Sequence, residues 1–207
     1  MFSRVIFVGL AACATASPSS SGDGGTSGDA QRITTGDARG VAPTSGCSFT
    51  GALATWDLSG QTGSEASVVA ATMANGVTAG QITRSSAVAS ASGAGSINGS
   101  NWPSGAALDA TKYYALTIAP PAGCSIKLST IAIDAKASGT GPATAVLATS
   151  ADSFAMTTSI STSAASSPTI TVTSASSLEI RIFGYSASAT AGTLRIQNTL
   201  AVNGQIL

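Results

Sequence analysis

From residue 47 onward the apolar side chains fall on every second position. Tyr114, Leu116 and Ile118 alternate with Ala115, Thr117 and Ala119 until Pro120-Pro121-Ala122-Gly123 stops the run. Ile126-Lys127-Leu128 and Ile131-Ala132-Ile133-Asp134 alternate again, as do Ile170/Val172, Leu178/Ile180/Ile182 and Leu194/Ile196. That period builds strands with one buried and one solvated face. Turn-forming clusters punctuate the runs at short spacing: Ser59-Gly60, Ala74-Asn75-Gly76, Gly93 to Gly99, Gly139-Thr140-Gly141-Pro142 and Asn203-Gly204. No segment sustains a helical period, and Glu65 to Met73 is the one stretch where a helical turn is expected. The pattern predicts an all-β fold: an antiparallel β-sandwich, jelly-roll-like, over residues 47–207.

The chain before that point follows different rules. Met1-Phe2-Ser3-Arg4 is a positive start, and Val5 to Ala12 is a short apolar run. The run is well below the roughly 20 residues a membrane-spanning helix needs, and suits a cleaved leader. It closes on Leu10-Ala11-Ala12-Cys13, the small-small-Cys ending of a bacterial lipoprotein signal. On that reading residues 1–12 are the signal peptide and Cys13 carries the lipid that holds the protein to a membrane. The other reading is plain secretion with a cut after Ala14-Thr15-Ala16. Both place the protein outside the cytoplasm. With no acidic residue at Ala14 or Thr15, a lipidated form is expected at an outer membrane or cell surface. Residues 13–46 are rich in Ser, Gly and Thr and nearly free of large apolar side chains, so they read as a disordered, flexible tether.

The leader also settles the cysteine count. Of three cysteines it removes Cys13, leaving Cys47 and Cys124 as an even pair in an oxidising compartment. A disulfide is expected between them; the alternative is two separately buried thiols. Only 9% of residues are charged, with nine of each sign, which argues against nucleic acid as a partner. The chain has no histidine, so it has no Ser-His-Asp triad, no Cys-His pair and no histidine metal site. Asp57, Asp109, Asp134, Asp152 and Glu179 are scattered singly, whereas glycoside hydrolysis needs two carboxyl groups facing one another. A protein that is not an enzyme is therefore expected.

The few aromatic residues carry more information. Trp56 alternates with Leu58 and reads as core. Asn101 and Trp102 lie in the polar loop Asn98-Gly99-Ser100-Asn101-Trp102-Pro103. An exposed ring there would stack on a sugar while the amide bonds its hydroxyls; the other reading is a plug for the end of the sandwich. Tyr113, Phe183 and Tyr185 occupy the phase opposite to the Leu/Ile face, as a half-exposed strip. Glu179 and Arg181 share that phase and point to a mixed, solvated face.

Several ordered motifs bear a resemblance. They are Ala54-Thr55-Trp56-Asp57-Leu58-Ser59-Gly60, Gly76 to Arg84, Lys112 to Ile118, Ser138-Gly139-Thr140-Gly141-Pro142, Ser150-Ala151-Asp152-Ser153-Phe154, Arg181 to Ala187 and Gly192 to Asn198. Together they resemble a secreted jelly-roll-like β-sandwich module of environmental bacteria, often found on proteins with PEP-CTERM-type surface-sorting tails. The resemblance implies fold and export rather than chemistry. No sorting helix follows Leu207, as expected if the lipid replaces the tail, and Gln197-Asn198 stands where the family commonly has Asp-Asn. That weakens the case for an acidic ligand there. Jelly-roll binding modules often clip their ends with calcium, and Asp57 and Asn198 are the candidate ligands; otherwise both make turn and strand-end hydrogen bonds. The expected function is a noncatalytic surface lipoprotein that binds or adheres to a glycan or matrix. The alternative is a structural, self-associating component of an extracellular layer.

Overall fold

A computed structural model describes residues 46–207. The leader, Cys13 and the tether as far as residue 45 lie outside the described residues.

The alternating runs are strands. In chain order they are β1 (Phe49–Asp57), β2 (Ser67–Val68), β3 (Thr72–Met73), β4 (Thr78–Ala79), β5 (Ile82–Arg84), β6 (Ala89–Ser90), β7 (Ser96–Ser100) and β8 (Tyr113–Ala119). The second half holds β9 (Ile126–Ala137), β10 (Pro142–Thr149), a 3-10 turn η1 (Ser150–Asp152), β11 (Thr158–Ile160), β12 (Ala165–Ser166), β13 (Thr169–Ser174), β14 (Leu178–Ala187) and β15 (Leu194–Ile206). In β8 the inward residues Tyr114, Leu116 and Ile118 are buried while Thr117 is exposed, as period two requires.

The strands form two sheets, of eight and seven strands. The first follows the order β12-β9-β15-β1-β3, with β13 beside β9 and the β6–β7 pair beside β15. The second follows β11-β10-β14-β8-β5-β2, with β4 beside β8. The long strands pair as a doubled hairpin wound on itself. β1 lies against β15, β8 against β14, β9 against β13 and β10 against β11, all antiparallel. Links between consecutive strands (β8 to β9, β9 to β10, β13 to β14, β14 to β15) cross from one sheet to the other. That is the jelly-roll wrap.

Between the sheets lies one core, in which Leu53, Trp56, Ile131 and Val202 of the first sheet meet Tyr114, Leu116, Ile180 and Ile182 of the second. Each such side chain contributes about 1.5–3 kcal/mol by leaving water. Trp56 is fully buried and its Nε1 donates to Gly80 O at 3.0 Å. Cys47 and Cys124 are joined by a disulfide across a Cα–Cα distance of 5.5 Å. The bond ties the segment just before β1 to the turn between β8 and β9.

The helical turn expected over Glu65–Met73 does not form. This stretch holds β2 and β3, and β3 closes the edge of the first sheet through Ala54↔Met73 and Thr55↔Thr72. Sheet pairing overrides a weak local helical preference. At one end of the sandwich the Gly139-Thr140-Gly141 loop packs on the loop ending at Gly192. A Cβ on Gly141 would strike Thr193 O, and one on Gly192 would strike Thr140 O.

Candidate binding face on the second sheet

Alternation along β14 turns Leu178, Ile180 and Ile182 inward and leaves Glu179, Arg181, Phe183 and Tyr185 on the outer face. In register, Phe183 sits between Tyr113 of β8 and Val146 of β10, and Arg181 between Ala115 and Ala148. Val146, Ala148 and Phe183 make a small apolar cluster separate from the core, with Tyr113, Phe154 and Tyr185 packed against it. Phe183 is 2% exposed even though it faces away from the other sheet, because these rings cover it. The Tyr113 and Phe183 rings meet edge to face, with centroids 5.7 Å apart.

Arg181 is fixed at the centre of this patch. Its guanidinium carbon lies 4.1 Å from the Tyr113 ring centroid and 4.0 Å from that of Phe154. Its Nε donates to Glu179 Oε1 at 2.7 Å. Nη1 and Nη2 of Arg181, and Oε2 of Glu179, have no hydrogen-bond partner among the described residues. The two side chains are 22% and 31% exposed, so water reaches the pair. The guanidinium donors therefore lie against half-buried aromatic rings, with the Glu179 acceptor beside them.

Phe154 reaches Arg181 from the loop after η1. Ser153 and Phe154 take φ angles of 59° and 64°, the left-handed region. For a residue with a Cβ this costs about 1–2 kcal/mol. Two features offset it: Phe154 N donates to Thr149 O at 2.9 Å, and the ring stacks on the cation. The far side of the same loop borders a cleft of about 150 Å³ lined by Thr149, Asp152, Met156, Thr158, Thr169 and Ile170, among others. There Asp152 Oδ2 accepts from Met156 N at 2.8 Å, whereas Oδ1 is buried without a partner among the described residues.

The residues singled out by sequence lie elsewhere. Trp102 is 2% exposed, donates Nε1 to Gly99 O at 2.8 Å and packs on Tyr114 with centroids 5.4 Å apart. It is an end plug, and no face of its ring is open to a sugar. Asn101 takes φ 68° and donates Nδ2 to Ala87 O at 3.1 Å, so its amide ties two loops together. The Tyr114 hydroxyl donates to Leu194 O, and burial pushes its pKa far above the ordinary value. Arg84 caps the carbonyls of Gly63, Ser64, Glu65 and Asn98 nearby.

Asp57 and Asn198 do come close in the fold, since Leu58 N donates to Asn198 O at 2.7 Å. Their side chains turn to different partners. Asp57 Oδ1 accepts from Ser59 Oγ and N, which lower its pKa. Asn198 Nδ2 donates to Asp134 Oδ2 at 2.6 Å, and Gln197 Nε2 donates to the same oxygen at 2.9 Å. Two N–H donors aimed at one carboxylate leave it poorly placed for calcium, and no group of three His, Cys, Asp or Glu metal ligands gathers among the described residues. Turn and strand-end hydrogen bonds account for this pair.

Phe154 and the pairing of Arg181 with two rings were not legible in the sequence. The signal present was the outward phase of Tyr113, Arg181, Phe183 and Tyr185 on their strands. No family model, curated protein or solved structure matches the chain.

Proposed function

We propose that the chain is a noncatalytic surface module that binds a glycan on the outer face of the second sheet. The observation that carries this is Arg181, set against the rings of Tyr113 and Phe154 and paired with Glu179. Tyr113 and Phe154 are half-buried, so ring surface that the guanidinium does not cover is left for the C–H surface of a sugar, and the polar groups beside it orient the hydroxyls. Catalysis has no comparable support. The chain lacks histidine, and its six described carboxylates stand singly: Asp57 is engaged by Ser59, Glu65 by Thr62, Asp109 by Thr111, Asp134 by Gln197 and Asn198, Glu179 by Arg181, and Asp152 by Met156 N through one oxygen only.

The N-terminal sequence places this module in a surface context. The leader exports the chain, Cys13 takes the lipid, and the Ser/Gly/Thr-rich segment lets the sandwich reach outward from an outer membrane or cell surface. Intact mass of the protein from its native membrane tests that part: an acylated species beginning at Cys13 is expected, and an unacylated one beginning at Ser17 contradicts it.

Retention of the purified full chain on immobilised polysaccharides tests the binding. Phe154→Ala removes one ring and is expected to weaken retention by about tenfold, with near-ultraviolet circular dichroism unchanged. Trp102→Phe, at the other site, is expected to leave retention of folded protein as in the parent. Retention lost in the Trp102 variant but kept in the Phe154 variant would place the ligand elsewhere.

A further inference from the structure

We infer that the outer face takes a neutral hexose ring with adjacent free hydroxyls, in preference to acidic or amino sugars; this rests on the reading of that face as a glycan site. The argument begins with charge. Glu179 and Arg181 form an ion pair at 2.7 Å, so their formal charges cancel where a ligand would sit. The carboxylate of an acidic sugar would gain Arg181 but lie against Glu179. The ammonium of an amino sugar would gain Glu179 but lie against Arg181. Like-charge contacts of this kind act as selection against the wrong ligand.

Hydrogen-bond inventory points the same way. A hydroxyl donates one hydrogen bond and accepts others, so two neighbouring hydroxyls need donors and an acceptor side by side. The pair supplies these: Nη1 and Nη2 of Arg181 donate and Oε2 of Glu179 accepts, none of them engaged by another described residue. The guanidinium is also held against the Tyr113 and Phe154 rings, its carbon 4.1 and 4.0 Å from their centroids. Its rotamer is chosen before a ligand arrives, which spares much of the side-chain entropy an arginine loses on binding. Tyr185, packed half-buried on the same cluster, extends the apolar surface along β14.

Three probes separate the outcomes: a neutral β-glucan, a polyuronate and chitosan, each tested by affinity electrophoresis with the full chain at about 0.15 M salt. The β-glucan is expected to bind at least about tenfold more tightly than either charged polymer. Glu179→Gln removes the negative charge; its one carbonyl oxygen stays with Arg181 Nε–H, so the group turned to the ligand becomes an amide donor in place of the Oε2 acceptor. It is expected to weaken the β-glucan and to improve polyuronate affinity about tenfold, closing the preference between them. Arg181→Lys loses the planar fork and is expected to weaken the β-glucan about tenfold. Equal binding of polyuronate or chitosan, or no change of preference in Glu179→Gln, would overturn the neutral-sugar assignment and leave glycan binding standing. Failure of all three polymers to bind would overturn both.

Discussion

Ser153 and Phe154 show how one loop residue is held by what its neighbour touches. Both occupy the left-handed region, and only the Phe154 ring gains a partner from it, in Arg181. Ser153→Gly should remove a penalty of about 1–2 kcal/mol and lose about 0.5–1 kcal/mol to greater freedom of the unfolded chain. The expected result is a rise in the urea midpoint with glycan retention unchanged; a fall would mean that the loop is not strained at this residue. Trp102 shows the complementary lesson. Its polar sequence neighbours leave an exposed ring and an end plug both open; Nε1 bonds the Gly99 carbonyl three residues back and the ring packs on Tyr114 of β8, so the plug holds. Which of the two applies depends on that contact from another strand. Trp102 was therefore legible only as a choice of two and Phe154 not at all, while Trp56, alternating within its own strand, read as core.

Among the elements, the loop from Thr62 to Glu65 depends on a carboxylate. Partial burial raises the Glu65 pKa, but hydrogen bonds from Thr62 N, Thr62 Oγ1 and Gly63 N outweigh it and bring the value to about 2 from 4.5. A folded-state pKa below the unfolded one means that the ionised form favours folding. The contribution is complete above about pH 4.5 and is lost as pH falls towards 2. Thermal melts from pH 2 to 6 should show a shallower acid slope for Glu65→Gln than for the parent, and identical slopes would refute the role. The long strands were readable because period two runs along β8 and β14 and along each half of β9, on either side of the shift between Leu128 and Ile131. Segment 65–73 was not, because β3 exists through pairing with Thr55 and Ala54 of β1 rather than through any pattern of its own.

At the largest scale, the described residues form a jelly roll closed by their first and last strands. β1 pairs with β15, at the far end of the described chain, and the disulfide spans 77 residues. By loop-closure entropy a crosslink of that span contributes about 4–5 kcal/mol. Replacing Cys47 and Cys124 together with serine is expected to lower unfolding free energy by up to that amount without changing far-ultraviolet circular dichroism of the folded form. An unchanged midpoint would mean that the bond adds nothing to the fold. Fold class was legible in the sequence because alternation and turns are local. The location of the proposed binding face was only half legible, since phase identified the outward residues of β8 and β14 but not the Phe154 ring that comes to them from the loop after η1.

The central claim is that a glycan seats on Tyr113, Phe154, Arg181 and Tyr185. The direct measurement is a nuclear magnetic resonance titration of the full chain with a neutral β-gluco-oligosaccharide, following the aromatic signals and the Arg181 Nε–H. Saturable shifts confined to these residues, with Asn101 and Trp102 unmoved, are the predicted result. Shifts at Trp102 with a silent Arg181, or no saturable shift at all, would contradict it.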